Sequence, residues 1–286
     1  MLFRAEGRMD HGSPHGLRLA RAAVVMLSAL ALAGCADPGA PIAGSEPTPS
    51  ATPTAGIIRP YSPHAPFGYT SVSPAQLPFG ARYLNPASGR QELVLGSLAK
   101  TAVLIGDSQA QPTDSWLRKG LEQAGYKVYV AGWGGTGFSV GTPEVHDYAH
   151  ALRLGDWLLP YGNPALVVVQ GGGNDASRNS PDAAIVDGAK TVVSELKESY
   201  PASKFLVVGT LARSAADGGG RRTQVDALLG RTAALMGLPF IGCGDWISRY
   251  GLAQDLADGV HLTPAGRARL APSFAQTLRD RGLALG

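Results

Sequence analysis

The chain has 286 residues, of which 44% are hydrophobic and 16% charged, so it is long enough to bury a core in one large domain or two small ones. Its 38 glycines and 21 prolines accompany abundant leucine, valine and isoleucine, which excludes a wholly disordered chain, a collagen and a coiled coil. The net charge is +3, without a basic stripe, so nucleic acid is not an expected partner. The two cysteines, Cys35 and Cys243, are too few for a disulfide scaffold or a zinc site.

The first residues are typical of an export signal. Two arginines precede an apolar run of 13 residues, 22–34, which is shorter than the roughly 20 residues that span a bilayer. The run ends in Leu32-Ala33-Gly34-Cys35, which resembles the lipobox of bacterial lipoproteins; an ordinary signal peptide that contains a cysteine is the alternative. The resemblance implies a signal peptide over 1–34, starting at Met1 or Met9, and a diacylglyceryl group on Cys35. We therefore expect an exported protein, lipid-anchored to the extracytoplasmic side of the cell membrane.

Two segments of different composition follow the signal. Residues 35–60 are rich in proline, alanine, glycine, serine and threonine, which predicts a disordered tether from the lipidated cysteine, because such a segment cannot bury enough apolar surface to fold. Residues 61–100 mix prolines with aromatic residues and predict an irregular segment packed on the domain, with a short strand near Glu92–Leu95. The folded domain is expected over 101–286.

From residue 101 onward, strand and helix patterns alternate. Short apolar runs predict five strands, at Thr101–Ile105, Tyr126–Ala131, Ala165–Gln170, Lys204–Thr210 and Leu238–Gly242. Helices are predicted at Trp116–Ala124, at Tyr148–Leu158, from Pro181 after a Ser180 cap, around Val225–Leu235, and from Pro264 to about Arg281 after a Thr263 cap. This alternation indicates a parallel sheet covered by helices on both faces. Ligands bind beyond the carboxyl ends of such strands, so we expect the chemistry there.

A serine and a histidine follow this rule. Ser108, after the first strand, lies on a predicted strand-to-helix turn, and its hydroxyl can attack a carbonyl if a base removes the proton. Asp258 precedes His261 by three residues and can accept the Nδ1 hydrogen of its ring, which leaves Nε2 as the base. Of the other histidines in the domain, His146 and His150 lack such a partner apart from the neighbouring aspartate at 147.

An acyl-transfer reaction also needs donors for the oxyanion that forms. Asn174, directly after the third strand, offers a side-chain amide. Gly135, in the glycine-rich turn after the second strand, offers a backbone N–H that no side chain obstructs. The N–H of Ser108 would be the third donor.

Together these residues resemble the SGNH, or GDSL-like, hydrolases, which are named for Ser, Gly, Asn and His in successive blocks. The resemblance covers about Thr101–Ala284, and its blocks read Gly106-Asp107-Ser108-Gln109, Gly135, Gly172-Gly173-Asn174-Asp175 and Asp258-Gly259-Val260-His261. One departure is Gln109, where the named motif has leucine.

The resemblance implies a flavodoxin-like three-layer α/β/α sandwich with a five-stranded parallel sheet, which cleaves esters or transfers acyl groups without a cofactor or metal. It makes Ser108 the nucleophile, His261 the base and Asp258 the residue that orients the base. It makes Ser108, Gly135 and Asn174 the oxyanion hole, with Gly134 or Gly137 as alternatives to Gly135.

We therefore expect a cell-envelope serine esterase that hydrolyses small-molecule, carbohydrate or lipid esters through an acyl-enzyme on Ser108. The alternatives are an O-acyltransferase acting on envelope carbohydrate, and a non-catalytic binding module on the same fold. The sequence does not choose among the esters or indicate an oligomeric state.

Several neighbouring residues are expected to have structural roles. Asp107 is interpreted as a turn stabiliser, Asp175 as a brace for the turn that holds Asn174, and Cys243 as a small core residue. Trp133 and Trp246 are expected either in the core or stacked on substrate. The glycine-rich stretch that ends at Arg221 and Arg222 is expected to be a solvated rim loop, with contact to an anionic group as the alternative.

Overall fold

The computed structural model describes residues 72–285, so the predictions for the signal segment, Cys35 and the tether lie outside the described residues. The strands are β1 (Arg82–Asn85), β2 (Arg90–Leu93), β3 (Thr101–Gly106), β4 (Lys127–Gly132), β5 (Leu159–Pro160), β6 (Leu166–Gln170), β7 (Lys204–Val208) and β8 (Phe240–Ile241). The α-helices are α1 (Trp116–Gln123), α2 (Tyr148–Leu154), α3 (Gly173–Ser177), α4 (Asp182–Ser199), α5 (Gly220–Leu235), α6 (Trp246–Arg249) and α7 (Pro264–Asp280). Within 72–285, no helix has the length and apolar character needed to cross a membrane.

Five strands form the central sheet, in the order β4-β3-β6-β7-β8, and every neighbouring pair is parallel. The predicted five-stranded parallel sheet is therefore confirmed, and its order is that of flavodoxin-like folds. β4 lies on one side of β3, and β6 lies on the other. The connections next to β3 and β6 therefore diverge and leave a crevice beyond the carboxyl ends of these two strands. Residues that follow β3 and β6 are therefore brought to the same crevice.

The core lies in two layers, one on each face of the sheet. Along β3, Val103 and Ile105 pack with α2, α4 and α5, whereas Ala102 and Leu104 pack with α1, α6 and α7. All four side chains are fully buried, and burying a valine, leucine or isoleucine contributes about 1.5–3 kcal/mol. A strand that is apolar on both faces needs helices on both sides, and this confirms the three-layer sandwich.

The segment before β3 is more regular than expected. β1 and β2 form an antiparallel hairpin, and β2 also pairs in parallel with β5. The short strand predicted near Glu92–Leu95 is β2, which starts earlier in the chain, at Arg90. Pro86 falls in the turn between the strands and therefore interrupts no strand pairing. The carboxylate of Glu92 is buried and accepts hydrogen bonds from Asn85 (3.0 Å) and Ser88 (2.8 Å) on the same turn.

Several helix boundaries differ from the predictions, including the start of α5, which is Gly220 rather than Val225. α2 ends at Leu154 rather than near residue 158, because Gly155 adopts a left-handed conformation (φ 78°) that terminates the helix. α4 begins at Asp182, with Pro181 as its N-cap residue instead of its first helical residue. α7 begins as predicted, with the Thr263 side chain accepting a hydrogen bond from the helix and Pro264 in first position.

Candidate active site

Ser108 lies directly beyond β3, in a turn at the carboxyl edge of the sheet. The Asp107 carbonyl accepts a hydrogen bond from the Ala110 amide (2.9 Å), and the Asp107 carboxylate accepts one from the Gln109 amide (2.8 Å). Asp107 is buried, and that burial raises the pKa of its carboxyl. α1 begins at Trp116, as predicted, so the hydroxyl is presented by a braced turn between β3 and that helix.

His261 contacts both Ser108 and Asp258. Its Nε2 lies 2.7 Å from the Ser108 Oγ, and its Nδ1 lies 2.7 Å from the Asp258 Oδ2. The other Asp258 oxygen accepts hydrogen bonds from the backbone amides of Val260 and His261, both at 2.7 Å. Hydrogen bonds lower the pKa of Asp258 to about 2, and the bond from the His261 ring has the largest effect. An ionised carboxylate on Nδ1 keeps the proton there and directs the Nε2 lone pair at the hydroxyl.

The other two histidines of the domain also have carboxylate partners, but neither is the histidine that contacts Ser108. Nδ1 of His150 lies 2.7 Å from Asp147, and Nδ1 of His146 lies 2.8 Å from Asp156. The second pair corrects the expectation that His146 lacks an orienting residue. Sequence reasoning missed it because Asp156 is ten residues away, beyond α2.

Asn174 lies in the first turn of α3, a helix that the sequence analysis did not identify. Gly172 precedes α3 with a φ of 93°, and a Cβ there would lie 2.5 Å from the Thr210 Oγ1, so only glycine fits this turn. The Asn174 Nδ2 donates to the Thr136 carbonyl at 2.8 Å. This bond fixes the amide plane and occupies one of its two N–H groups, so the other is available to a ligand.

The loop after β4 contains the three candidate glycines, and their hydrogen bonds distinguish them. The Gly134 N–H donates to the Gln111 side chain (2.9 Å), and the Gly137 N–H donates to a carbonyl of its own loop (2.8 Å). Gly135, at φ 84°, donates no hydrogen bond within residues 72–285. A Cβ on Gly134 would lie 3.5 Å from the Ser108 Cβ, so the loop passes beside the hydroxyl. Of the three, Gly135 has the available donor.

Asp175 connects this loop to α3. Its buried carboxylate accepts hydrogen bonds from the Phe138 amide (3.1 Å) and from the Ser139 amide (2.8 Å) and hydroxyl (2.7 Å). The sequence suggested that Asp175 braces the turn holding Asn174. The structure shows instead that it binds the loop that follows Gly135, so one side chain links the segments of the second and third blocks.

The two arginines expected on a solvated rim are engaged within the protein. Both lie in the first turn of α5. Arg221 donates to the Ser180 carbonyl (2.8 Å) and to Asp182 (2.6 Å). Arg222 donates to the Leu211 carbonyl (3.1 Å) and to the carbonyl of Gly173 (3.2 Å), immediately before Asn174. Burial lowers the pKa of Arg222, partly offset by Asp107 and Asp258. Its cation thus supports the backbone of the site.

The remaining candidates, Trp133, Trp246 and Cys243, differ in how deeply their side chains are buried. Trp133 is 42% exposed and directly precedes the Gly134–Gly135 loop, whereas Trp246 is 2% exposed and packs against Trp116 and Phe274. Cys243 is fully buried in the same core layer as Trp246, as expected. Of these three residues, Trp133 is the one that is exposed.

The chain was also compared with known proteins. The chain is similar to a family two carbohydrate esterase from Clostridium thermocellum (13% identity, TM-score 0.50, 68% of either chain). It is also similar to the aryl esterase of M. smegmatis (22% identity, TM-score 0.46, 64% of this chain and 99% of that one). Est24, a carbohydrate acetylesterase from Sinorhizobium meliloti, is a further similar structure (20% identity, TM-score 0.46, 64% and 99%). A comparison with curated proteins found no match. The model of the GDSL-like lipase/acylhydrolase family matches residues 100–269, more than half of the chain.

Proposed function

Because the chain belongs to the GDSL-like lipase/acylhydrolase family and is an SGNH ester hydrolase, we propose that it hydrolyses carboxylic esters through an acyl-enzyme on Ser108. The observation that carries this proposal is the continuous pair of 2.7 Å hydrogen bonds from the Ser108 hydroxyl through His261 to Asp258. Nucleophile, base and orienting carboxylate are already within the reach that proton transfer requires.

Each step of the proposed reaction uses these groups. As the Ser108 Oγ attacks the ester carbon, His261 Nε2 takes the hydroxyl proton and the carbonyl electron pair moves to oxygen. Asp258 stabilises the imidazolium that forms. The tetrahedral intermediate collapses, the alcohol leaves with the proton from His261, and the acyl group stays on Ser108. Water then attacks the acyl carbon while His261 takes its proton, and the acid leaves as Ser108 regains a proton.

Three donors are proposed to stabilise the oxyanion: the N–H groups of Ser108 and Gly135 and the second N–H of Asn174. None of these donates to the protein among the described residues, so all are available for a ligand oxygen. Donors that are fixed before the reaction need no reorganisation when the charge develops. The contacts of Thr136 with Asn174 and of Asp175 with the Gly135 loop provide this rigidity.

The openness of the site supports hydrolysis over acyl transfer. The side chains of His261 and Asp258 are 40% and 55% exposed, so water has direct access to an acyl group on Ser108. A transferase would need a sugar hydroxyl to compete with that water.

The proposed substrates are esters of the cell envelope, with the enzyme held to the membrane by lipid on Cys35. Trp133 is proposed to contact the substrate beside the oxyanion loop.

Paired variants test the proposal. Ser108→Ala and His261→Ala are each expected to lower hydrolysis of p-nitrophenyl acetate by roughly a thousandfold or more while the fold persists. A matched control for the base is His150→Ala, because His150 has the same 2.7 Å contact to an aspartate three residues earlier but does not contact Ser108. Ser97→Ala, in an exposed position before β3, controls for the serine. Near-normal turnover by folded Ser108→Ala protein would refute the serine-esterase proposal.

A further inference from the structure

Two side chains outside the Ser–His–Asp set connect two segments of the site. We call residues 108–115 the nucleophile segment and residues 256–263 the base segment. Gln109 Nε2 donates to the Val260 carbonyl at 3.0 Å. Arg267 Nη1 donates to the Leu262 carbonyl at 2.7 Å. The two accepting carbonyls belong to the residues immediately before and after His261. The backbone on either side of the base is therefore held by a side chain.

The Gln109 amide has one defined orientation. Its side chain is buried, and Trp116 Nε1 donates to its Oε1 at 3.2 Å. An indole N–H can only donate, so the amide oxygen must face Trp116 and the amide nitrogen must face the Val260 carbonyl. Since Gln109 follows Ser108 in the chain, this hydrogen bond joins the residues adjacent to the nucleophile and the base. The leucine of the named family motif could not make either bond.

Arg267 makes an equivalent connection on the other side of His261. It lies in the first turn of α7, and its Nη2 donates to Asp114 Oδ2 at 2.7 Å. Asp114 belongs to the loop between Ser108 and α1. That hydrogen bond lowers the pKa of Asp114 and keeps its carboxylate ionised. Arg267 therefore links the loop after Ser108 to the Leu262 carbonyl.

The other backbone hydrogen bonds of the base segment are local, and the Leu262 side chain is buried in the core layer that contains α1. The Ala257 amide donates to the His261 carbonyl at 2.8 Å, Leu256 and Leu262 form a β-bridge, and Asp258 binds the His261 amide. These contacts determine the shape of the turn. None of these local hydrogen bonds reaches the segment that follows Ser108, which is 153 residues away from His261 in sequence.

We propose that Gln109 and Arg267 are positioning residues that set the distance between the Ser108 Oγ and His261 Nε2. This inference rests on the proposed function, in which that pair transfers the proton. Displacing a reacting group by about 1 Å can cost about a hundredfold in rate. Loss of either connection should therefore slow the chemical step and leave substrate binding intact.

The test uses two independent variants of the full chain, Gln109→Met and Arg267→Gln. Each is expected to lower kcat for p-nitrophenyl acetate by about ten- to a hundredfold, with KM changed by less than about twofold. The rate at which a fluorophosphonate labels Ser108 should fall by a similar factor, because labelling also needs the base to activate the hydroxyl. Arg267→Gln carries the test by itself if Gln109→Met does not fold, since Arg267 and Asp114 lie nearer the surface.

A matched control separates positioning from general stability. Thr232 is buried in α5, which packs on the face of the sheet opposite to α1 and α7, and its hydroxyl donates to the Leu228 carbonyl at 2.9 Å. Thr232→Val should lower the melting temperature without changing kcat or the labelling rate. Wild-type kcat and labelling in folded Gln109→Met and Arg267→Gln would overturn the positioning role, while an inactive Ser108→Ala would leave the proposed function standing. An equal loss of kcat in Thr232→Val would also overturn it.

Discussion

Asp258→Asn changes the proton on His261 while almost preserving the size of the side chain at 258. In the native site Oδ1 accepts from the amides of Val260 and His261, and Oδ2 faces the His261 Nδ1. The asparagine oxygen is expected to keep the two amide bonds, which places its NH2 against Nδ1. Two donors cannot share one hydrogen bond, so Nδ1 must release its proton. The proton then lies on Nε2, where it faces the Ser108 hydroxyl.

The expected loss in kcat of Asp258→Asn depends on how exposed the Asp258 and His261 side chains are. In a buried triad the wrong tautomer lowers kcat by about 10⁴-fold. The Asp258 side chain is 55% exposed and that of His261 is 40% exposed, so water can solvate the ring and partly restore the productive tautomer. We therefore expect a loss in kcat of about 10²–10³-fold, equivalent to about 2.7–4.1 kcal/mol of transition-state stabilisation.

Steady-state hydrolysis of p-nitrophenyl acetate measures this, with Asp258→Ala for comparison. Alanine leaves Nδ1 to water and imposes neither tautomer, so Asp258→Asn should be the slower of the two. Asp147→Asn, beside His150, is the matched control and should retain wild-type kcat. The tautomer argument is refuted if Asp258→Asn keeps more than about a tenth of wild-type kcat, or exceeds Asp258→Ala.

Three further predictions concern the oxyanion hole, pH dependence and location. Asn174→Ala should lower kcat by about a hundredfold or more (about 2.7–4 kcal/mol) with little change in KM; a change in KM alone would assign Asn174 to substrate binding. Burial raises the pKa of Asp226 from 3.8 to about 6, so its ionisation opposes folding as the pH rises from about 4 to 6. Chemical denaturation should show wild type losing about 2 kcal/mol relative to Asp226→Asn across that range, and parallel curves would contradict this. Cys35→Ala should release the protein to the medium or leave a precursor, as fractionation and N-terminal mass spectrometry would show; soluble wild-type protein with an unmodified N-terminus would contradict the anchor.

The sequence by itself predicted the features that depend on neighbouring residues. Strands that are buried on both faces appear as continuous apolar runs, so the five strands and the edge where they end could be predicted. The Asp258–His261 pair needs only a spacing of three residues, and the start of α7 needs only a threonine followed by proline. Local hydrogen bonding and burial determine each of these, and both leave a pattern in a short stretch of sequence.

The tertiary structure alone decided the contacts between distant segments. Sheet order places β6 beside β3 and thereby brings Asn174 to Ser108. Hydrogen bonds from Gln111 and from its own loop distinguish Gly135 from its neighbouring glycines, and the pairing of His146 with Asp156 depends on where α2 ends. Gln109 departs from the family motif, and its hydrogen bond to the Val260 carbonyl exists only because packing brings the two segments together. Such contacts depend on how whole helices and strands pack, because residues far apart in sequence are brought together only when the two core layers form.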